Sequence, residues 1–157
     1  MNSRIWSIIF AAAVVAASLA SGSATGAAGA LTGPLSGHGW GTATEVPGTA
    51  VLNKGGNAVL NSVSCGSAGN CGAGGQYRGS SGNYQAFVVS QVHGAWGTAI
   101  EVPGTAALNR GGDAEIFSVS CASAGNCSAG GGYTDSSGHG QAFVVNEVNG
   151  TLSLIHI

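Results

Sequence analysis

The residues whose spacing most directly specifies chemistry are four cysteines in two identical patterns. Cys65 and Cys71 are separated by five residues, and Cys121 and Cys127 repeat that spacing. Each pair brackets one Ser-Ala-Gly-Asn turn, which favours a local bond within each pair over the other pairings. Structural zinc sites usually have closer cysteine spacing. We therefore predict the disulfides Cys65–Cys71 and Cys121–Cys127, each stabilising the fold by about 2 kcal/mol, and no metal site.

The carboxylates do not form a convincing catalytic pair. A glycosidase needs two carboxyl groups that face one sugar, about 5 to 9.5 Å apart. Glu45 and Glu101 each precede Val-Pro-Gly and occupy equivalent positions of an internal repeat, which favours a recurring edge or turn residue. A sialidase also needs a cluster of arginines for the substrate carboxylate, and only Arg78 and Arg110 follow the N-terminal segment. We therefore expect no catalytic residues in this chain.

Histidines and serines form no recognisable catalytic or metal-binding pattern either. His38, His93 and His139 do not share a position in the repeat, which is typical of solvated loop residues. The serines lie in predicted turns and lack the G-x-S-x-G pattern of a nucleophile elbow. The sequence therefore predicts no metal and no cofactor, and it favours a protein that is not an enzyme.

Aromatic residues are the remaining candidates for ligand binding. Tyr84, Tyr77 and Tyr133 could stack on a sugar or contact a partner protein. Tyr84 is the most individual of them, because its repeat counterpart is Gly140. The other aromatic residues at repeated positions are expected to form the core between repeat units: Trp40, Trp96, Phe87 and Phe143.

An internal repeat of 56 residues organises the chain. Residues 40–95 and 96–151 align without a gap, and 38 of the 56 positions are identical. Such a repeat is the structural unit of a fold. We therefore divide the chain into a lead-in at 31–39, repeat unit 1 at 40–95 and repeat unit 2 at 96–151.

Each repeat copy has the hydrophobic pattern of short strands separated by Gly-rich turns, and no helical periodicity. Four antiparallel strands per unit are typical of a propeller blade, so we predict an all-β fold that forms part of a β-propeller, with a β-solenoid as the alternative. The Asn149-Gly150 pair favours a type I′ hairpin. The predicted strands cover residues 58–65, 71–77, 85–92 and 96–102, with second-copy counterparts at 114–121, 127–133 and 141–148, and a counterpart of the fourth at 40–46.

Residues 1–30 have the pattern of a secretory signal peptide. Arg4 precedes an apolar stretch at 5–20, and small residues lead to cleavage sites after Ala30 or, as second choice, Ala24. The apolar stretch is shorter than a membrane-spanning helix requires, so we expect no stable membrane span after cleavage. The net charge of −2 argues against nucleic-acid binding. We predict a secreted, extracellular protein, with cell-surface association as a further option.

The end of the chain departs from the repeat. Identity with the first copy would place a tryptophan at 152, but residues 152–157 read Leu-Ser-Leu-Ile-His-Ile. This string resembles a translated sequencing-library adapter and predicts a non-native tail on a truncated reading frame. The alternative is a natural apolar C-terminal strand. Two units cannot close a propeller ring of four to eight blades, so we expect further units or self-association.

The cysteine motif carries a resemblance to a group of known proteins. The segment from Ser64 to Tyr77, repeated from Ser120 to Tyr133, resembles secreted bacterial repeat proteins with a Ser-Cys-x-Ser-x-x-x-Cys signature, which are similar to sialidase-like, Asp-box β-propellers. Val92 stands where the Asp-box has Asp. The signal, the repeated disulfides and the lack of a catalytic constellation favour a secreted non-catalytic module that binds an extracellular glycan or surface protein, or serves as a scaffold. The alternative is a fragment of an exported sialidase-like glycoside hydrolase whose catalytic residues lie outside this chain.

Overall fold

Two antiparallel sheets follow one another along the chain. The computed structural model describes residues 39–153, which are mostly β-strand. The first sheet has the order β1-β2-β3-β4, with β5 also pairing with β3, and the second has the order β6-β7-β8-β9. The strands are β1 (Ala58–Ser67), β2 (Asn70–Arg78), β3 (Tyr84–Val92), β4 (Ala95–Trp96), β5 (Ile100–Glu101), β6 (Ala114–Ser123), β7 (Asn126–Thr134), β8 (Gly140–Val148) and β9 (Thr151–Ser153). The prediction of an all-β fold built from repeated antiparallel units is confirmed.

Tight turns join β3 to β4 and β8 to β9. His93 and Gly94 have φ of 49° and 85°, and Asn149 and Gly150 have φ of 50° and 75°. Two consecutive residues with positive φ are what a type I′ turn requires, and its twist matches that of the flanking strands. The hairpin predicted at Asn149-Gly150 is confirmed.

The fourth strand of the first sheet comes from residues that begin the second repeat copy. Trp96 pairs with Gln91, and Glu101 pairs with Phe87. The prediction of a strand at 40–46 is wrong, because none of residues 39–46 is in a strand. The reason is visible in the counterpart at 96–102, which forms strands by pairing with β3. Among the described residues, no strand precedes residue 40 that could pair with 40–46 as β3 pairs with 96–102.

Two one-turn helices connect the repeat start to the long strands. They are α1 (Thr49–Leu52) and α2 (Thr105–Leu108), each preceded by a glycine with positive φ. The hydroxyl of Thr105 donates a hydrogen bond of 2.7 Å to the carbonyl of Val102, which fixes the entry into α2. A single turn is too short to produce a helical hydrophobic period, so the sequence pattern does not predict these two helices.

The sheets pack against each other through a small apolar core. Ala86 of β3 and Ile116 of β6 are both fully buried in this cluster, together with Val102. Polar contacts also join β1 to β6, because the Ser62 hydroxyl accepts a hydrogen bond of 2.9 Å from the backbone N–H of Val119. The first sheet thus presents one face to the second sheet, and its other face carries a second buried cluster that includes Phe87 and Ala99.

Both predicted disulfides are present. Cys65 is bonded to Cys71 and Cys121 to Cys127, so all four cysteines of the chain are paired. In each sheet the bonded residues face each other across the ladder near a tight turn.

Three further expectations from the sequence concern the ends of the chain. The predicted signal at 1–30, nearly all of the lead-in and residues 154–157 lie outside the described residues. Leu152 and Ser153 belong to β9, which pairs with β8, and Leu152 packs against the core between the sheets. These first residues after the repeat thus complete a four-stranded sheet.

Candidate functional site

An open groove lies at one end of the second sheet, beside the start of β6. Its volume is about 390 Å³. The groove is lined by Asp113, Glu115, Phe117, Gly132, Tyr133, Thr134, Gly140, Gln141 and Ala142. We refer to it as the second-sheet groove. It contains one of the three tyrosines predicted to bind a ligand, Tyr133.

Differences between the repeat copies open this groove. Three positions of the lining carry smaller side chains than their counterparts in the first copy. They are Gly132, Thr134 and Gly140, which stand in place of Gln76, Arg78 and Tyr84. The shorter side chains leave more space at the surface of the second sheet than the first-copy residues would.

Three other copy-specific residues supply the chemistry of the groove. They are Asp113, Glu115 and Phe117, which stand in place of Asn57, Val59 and Asn61. The first copy therefore has a neutral rim, whereas the second has two carboxylates and a phenyl ring. Sequence reasoning missed these residues, although three substitutions at alternate positions within otherwise similar copies were a readable signal.

Phe117 is the most exposed aromatic residue of the groove. Its side chain is 60% exposed, and its ring lies over Gly132, where a Cβ atom would come within 3.1 Å of the ring. The absence of a side chain at Gly132 therefore permits the ring to lie against the sheet. An exposed aromatic ring is a surface on which a sugar or an apolar group can stack.

The electrostatics of the groove are acidic. Asp113 and Glu115 line it, and none of its lining residues is basic. One oxygen of Glu115 accepts a hydrogen bond of 3.0 Å from the side-chain amide of Asn61 on β1. Because a carboxylate has several lone pairs, Glu115 keeps acceptor capacity for a ligand hydroxyl or ammonium group.

The side chain of Gln141 is held in place by a neighbouring turn. Its Nε2 donates a hydrogen bond of 3.1 Å to Asp135. The backbone N–H of His139, the amide of Gln141 and the backbone N–H of Ser137 lower the pKa of Asp135, because all three stabilise its charged form. Asp135 thus organises the β7–β8 turn beside the groove.

The three predicted tyrosines do not form one site. Tyr133 is half-buried, with its ring 6.5 Å from that of Phe143. Tyr77 is 4% exposed and lies in the core of the first sheet. Its hydroxyl donates a hydrogen bond of 2.7 Å to Glu101. Burial, with contributions from this hydrogen bond and the charge of Glu101, raises the pKa of Tyr77. The ring of Tyr77 is therefore inaccessible to a surface ligand.

Tyr84 lies at the contact between β3 and the segment after α2. Its backbone N–H donates a hydrogen bond of 2.9 Å to Gly112, and its carbonyl accepts one of 2.7 Å from Asn109. Its side chain is half-buried. The structure thus gives Tyr84 a role in joining the first sheet to the second repeat copy.

Glu45 and Glu101, considered as a catalytic pair, have different partners. Glu101 binds the Tyr77 hydroxyl, whereas Glu45 accepts a hydrogen bond of 3.2 Å from Thr49. Among residues 39–153, no group of three or more His, Cys, Asp or Glu is placed to hold a metal ion.

A second opening lies between the two sheets. It is lined mainly by apolar side chains from both sheets, with Ser90 and Glu147 as its closest polar contact. The Ser90 hydroxyl donates a hydrogen bond of 2.6 Å to Oε1 of Glu147. Among the described residues, neither side chain has a histidine as a hydrogen-bond partner. The bond joins β3 of the first sheet to β8 of the second and thus bridges the two sheets.

Comparison with protein-family models gives no match for this chain, and comparison with curated protein sequences gives none either. No helix within residues 39–153 is long and apolar enough to cross a membrane.

Proposed function

We propose that this protein is a secreted, non-catalytic repeat module that binds an extracellular glycan in the second-sheet groove. The observation that carries the proposal is the juxtaposition of Phe117, Tyr133 and two carboxylates in one groove, with neutral, non-aromatic residues in the first copy at the positions of Phe117 and the carboxylates. Residues shared by both copies are explained by the repeated fold. Residues confined to one copy need another explanation, and these have the chemistry of a binding site.

The chemistry of the groove fits a sugar. Sugar rings stack their C–H faces on exposed aromatic rings, and Phe117 offers such a surface. Sugar hydroxyls donate hydrogen bonds to carboxylates, and Asp113 and Glu115 offer acceptors. The open shape suits one or two residues of a chain rather than an enclosed small molecule.

The charge of the groove selects the class of sugar. Two carboxylates without a basic lining residue repel an anionic ligand and attract a cationic one. We therefore propose a neutral or amino sugar, and not a sialic acid, as the ligand. The same charge distribution disfavours the alternative of a sialidase-like hydrolase for this part of the protein.

Secretion is supported by the covalent structure and the composition. Two disulfides are typical of proteins that mature in an oxidising compartment. Only 6% of the residues are charged, and residues 1–30 have the signal-peptide pattern.

The arrangement of the sheets supports a propeller-like array as the scaffold. Each sheet is an antiparallel meander, and the sheets meet face to face with β1 beside β6. The Ser62 and Ser64 hydroxyls bind backbone groups of β6 that lie 57 residues further along the chain. This regular offset is what successive blades would give.

A comparison of sugar probes tests the proposal. Binding of chitotriose, its deacetylated form and sialyllactose is measured by isothermal titration calorimetry with the full chain. We expect binding of the first two and none of sialyllactose. The matched control combines Asp113→Asn, Glu115→Val and Phe117→Asn, which installs the first-copy residues, and it should abolish binding without loss of thermal stability. Preferential binding of sialyllactose, or equal binding by the control, would overturn the proposal.

A further inference from the structure

We propose that molecules of this protein associate head to tail, with the second sheet of one molecule packed against the first sheet of the next. The contact would repeat, between molecules, the contact that joins the two sheets within the chain. The occupant of each exposed face is thus a second copy of this protein. Several near-identical residues are buried in one copy and exposed in the other.

The first exposed surface is the outer face of the second sheet, formed by Ser128, Gly130, Ala142 and Val144. Val144 is 61% exposed and Ala142 is also exposed. Their counterparts on the first sheet, Val88 and Ala86, have the same side chains but face the second sheet. Ala86 is completely buried there, and Val88 packs against the core cluster. The outer face of the second sheet therefore carries the same apolar side chains that pack against a sheet in the first copy. No partner covers it among the described residues.

The complementary surface lies on the first sheet. A groove of about 470 Å³ is lined there by residues that include Val46, Asn53, Ala58 and Leu60. Leu60 is 44% exposed, whereas its counterpart Ile116 is completely buried against the first sheet. Ala58 is exposed, whereas its counterpart Ala114 is 1% exposed. This groove has the residues that receive β3 inside the chain.

Side-chain hydrogen bonds can be repeated along with the apolar contacts. Asn109 donates a hydrogen bond of 2.7 Å to the carbonyl of Tyr84 across the internal contact. Its counterpart Asn53 is half-buried and would meet the carbonyl of Gly140 of the next molecule. That bond needs only the backbone of Gly140, so the exchange of Tyr84 for Gly140 does not prevent it.

The glycines of β2 and β7 show that the face is shaped for a partner. A Cβ atom at Gly74 would lie 3.0 to 3.2 Å from the side chain of Ile116, so the internal contact requires glycine. The counterpart Gly130 has no atom within 4 Å of that position. Within one molecule, no neighbouring atom explains the glycine at 130. In the proposed assembly, Leu60 of the next molecule would lie against Gly130 as Ile116 lies against Gly74, and it would leave no room for a side chain.

The proposed contact reaches the inner edge of the second-sheet groove, because Gly140 and Ala142 line that groove and also belong to the docking face. The acidic residues of the groove lie outside the contact, since their first-sheet counterparts stay accessible beside the internal contact: Asn57 is exposed and Val59 is 44% exposed. The contact differs at Phe117, whose counterpart Asn61 donates a hydrogen bond of 2.8 Å to the carbonyl of Ile116. The edge of the Phe117 ring would replace that bond by an apolar contact with Leu60. Assembly therefore shares Phe117 and Ala142 with the proposed glycan site, and the association is measured without added sugar.

A contact between two different surfaces is heterologous. It produces a ring if the rotation between molecules closes and an open chain if it does not. Either product supports the proposal, because both use one contact. A symmetric dimer would use the same surface on both molecules and would contradict it.

Two variants test the two surfaces by analytical ultracentrifugation of the full chain. Val144→Asp places a charge on the outer face of the second sheet, and Leu60→Asp places one in the groove of the first sheet. Each should weaken association by more than about tenfold, since a buried unpaired charge is costly. Gly130→Val is a second, uncharged variant that should have the same effect while thermal unfolding shows a folded protein.

A matched control is available on the same strand as Val144. Val148→Asp alters a residue whose counterpart, Val92, stays 54% exposed beside the internal contact. This control should assemble like the unaltered chain.

Mixing the variants gives the decisive outcome. Val144→Asp leaves the first-sheet groove intact, and Leu60→Asp leaves the outer face of the second sheet intact. We expect each variant alone to be monomeric and a mixture to form dimers of one molecule of each. A monomeric unaltered chain, assembly that survives in the folded variants, or a mixture that stays monomeric would overturn the proposal.

Discussion

The hydroxyl of Tyr77 on β2 donates a hydrogen bond of 2.7 Å to Oε2 of Glu101 on β5. Glu101 lies in the residues that begin the second repeat copy, so this bond fastens the start of one copy onto the sheet of the other. The equivalent Tyr133 has no such carboxylate partner among the described residues, and the sequence position that corresponds to Glu101 is Ile157. Identical side chains therefore have different roles according to whether a neighbouring unit is present.

Replacing Tyr77 by phenylalanine should destabilise the protein. The substitution removes a hydrogen bond to a carboxylate, which contributes about 1.5 kcal/mol or more to stability. Urea denaturation of the full chain measures the loss. Tyr133→Phe is the matched control and should change the free energy of unfolding by less than about 0.5 kcal/mol. Equal effects of the two substitutions would contradict the account.

Stability should fall at alkaline pH through the same residue. The pKa of Tyr77 is raised in the folded protein above its usual value near 10. The folded state thus holds this proton more tightly than the unfolded state, and the resulting stability is complete below pH about 10 and lost as pH rises further. The melting temperature of the unaltered chain should therefore decrease above pH 10 more steeply than that of Tyr77→Phe. Parallel curves would show that another group is responsible.

Removal of one disulfide should have a moderate and local effect. Cys121→Ala combined with Cys127→Ala opens a short loop between β6 and β7, which should cost about 2 kcal/mol in the chain-entropy description. The same pair of changes at Cys65 and Cys71 is the control and should have a similar cost. Thermal unfolding under oxidising conditions measures both. A loss of all structure after either change would show that the bonds do more than close their turns.

Two neighbouring glycines should respond differently to alanine. A Cβ atom at Gly131 would lie 2.0 Å from the carbonyl oxygen of Glu115, so the backbone must shift. We expect Gly131→Ala to destabilise by about 1 to 3 kcal/mol. Gly130→Ala is the control, because its Cβ meets no atom within 4 Å, and it should be neutral or slightly stabilising. Chemical denaturation compares the two variants.

Local features of the fold could be predicted from the sequence because they depend on local chemistry. The repeated C-x5-C pattern correctly predicted both disulfides. The Asn149-Gly150 dipeptide correctly predicted its hairpin, because both residues readily adopt positive φ. The strand at 40–46 failed because strand formation there depends on a distant partner. Its near-identical counterpart at 96–102 has β3 beside it.

The binding groove could not be recognised by looking for aromatic residues alone. Tyr77 is as good a candidate by type as Tyr133, yet it is buried by Glu101 and its neighbours in the first sheet. Phe117 was overlooked because its counterpart is Asn61 and no repeated aromatic pattern marks it. Phe117 lies at the register shift between Ile116 and Ser118, and only the three-dimensional structure shows that its ring lies over Gly132 and shares a groove with Glu115.

The most direct test of glycan binding in the second-sheet groove is an NMR titration, because the chain contains its own control. Chitotriose is added to the isotopically labelled full chain, and amide and aromatic shifts are followed for Phe117, Tyr133 and Gln141. We expect saturable shifts at these residues and none at Tyr77 and Gln85, the first-copy counterparts of Tyr133 and Gln141. Equal shifts in both copies, or none in either, would contradict the proposal that the second-sheet groove is the binding site.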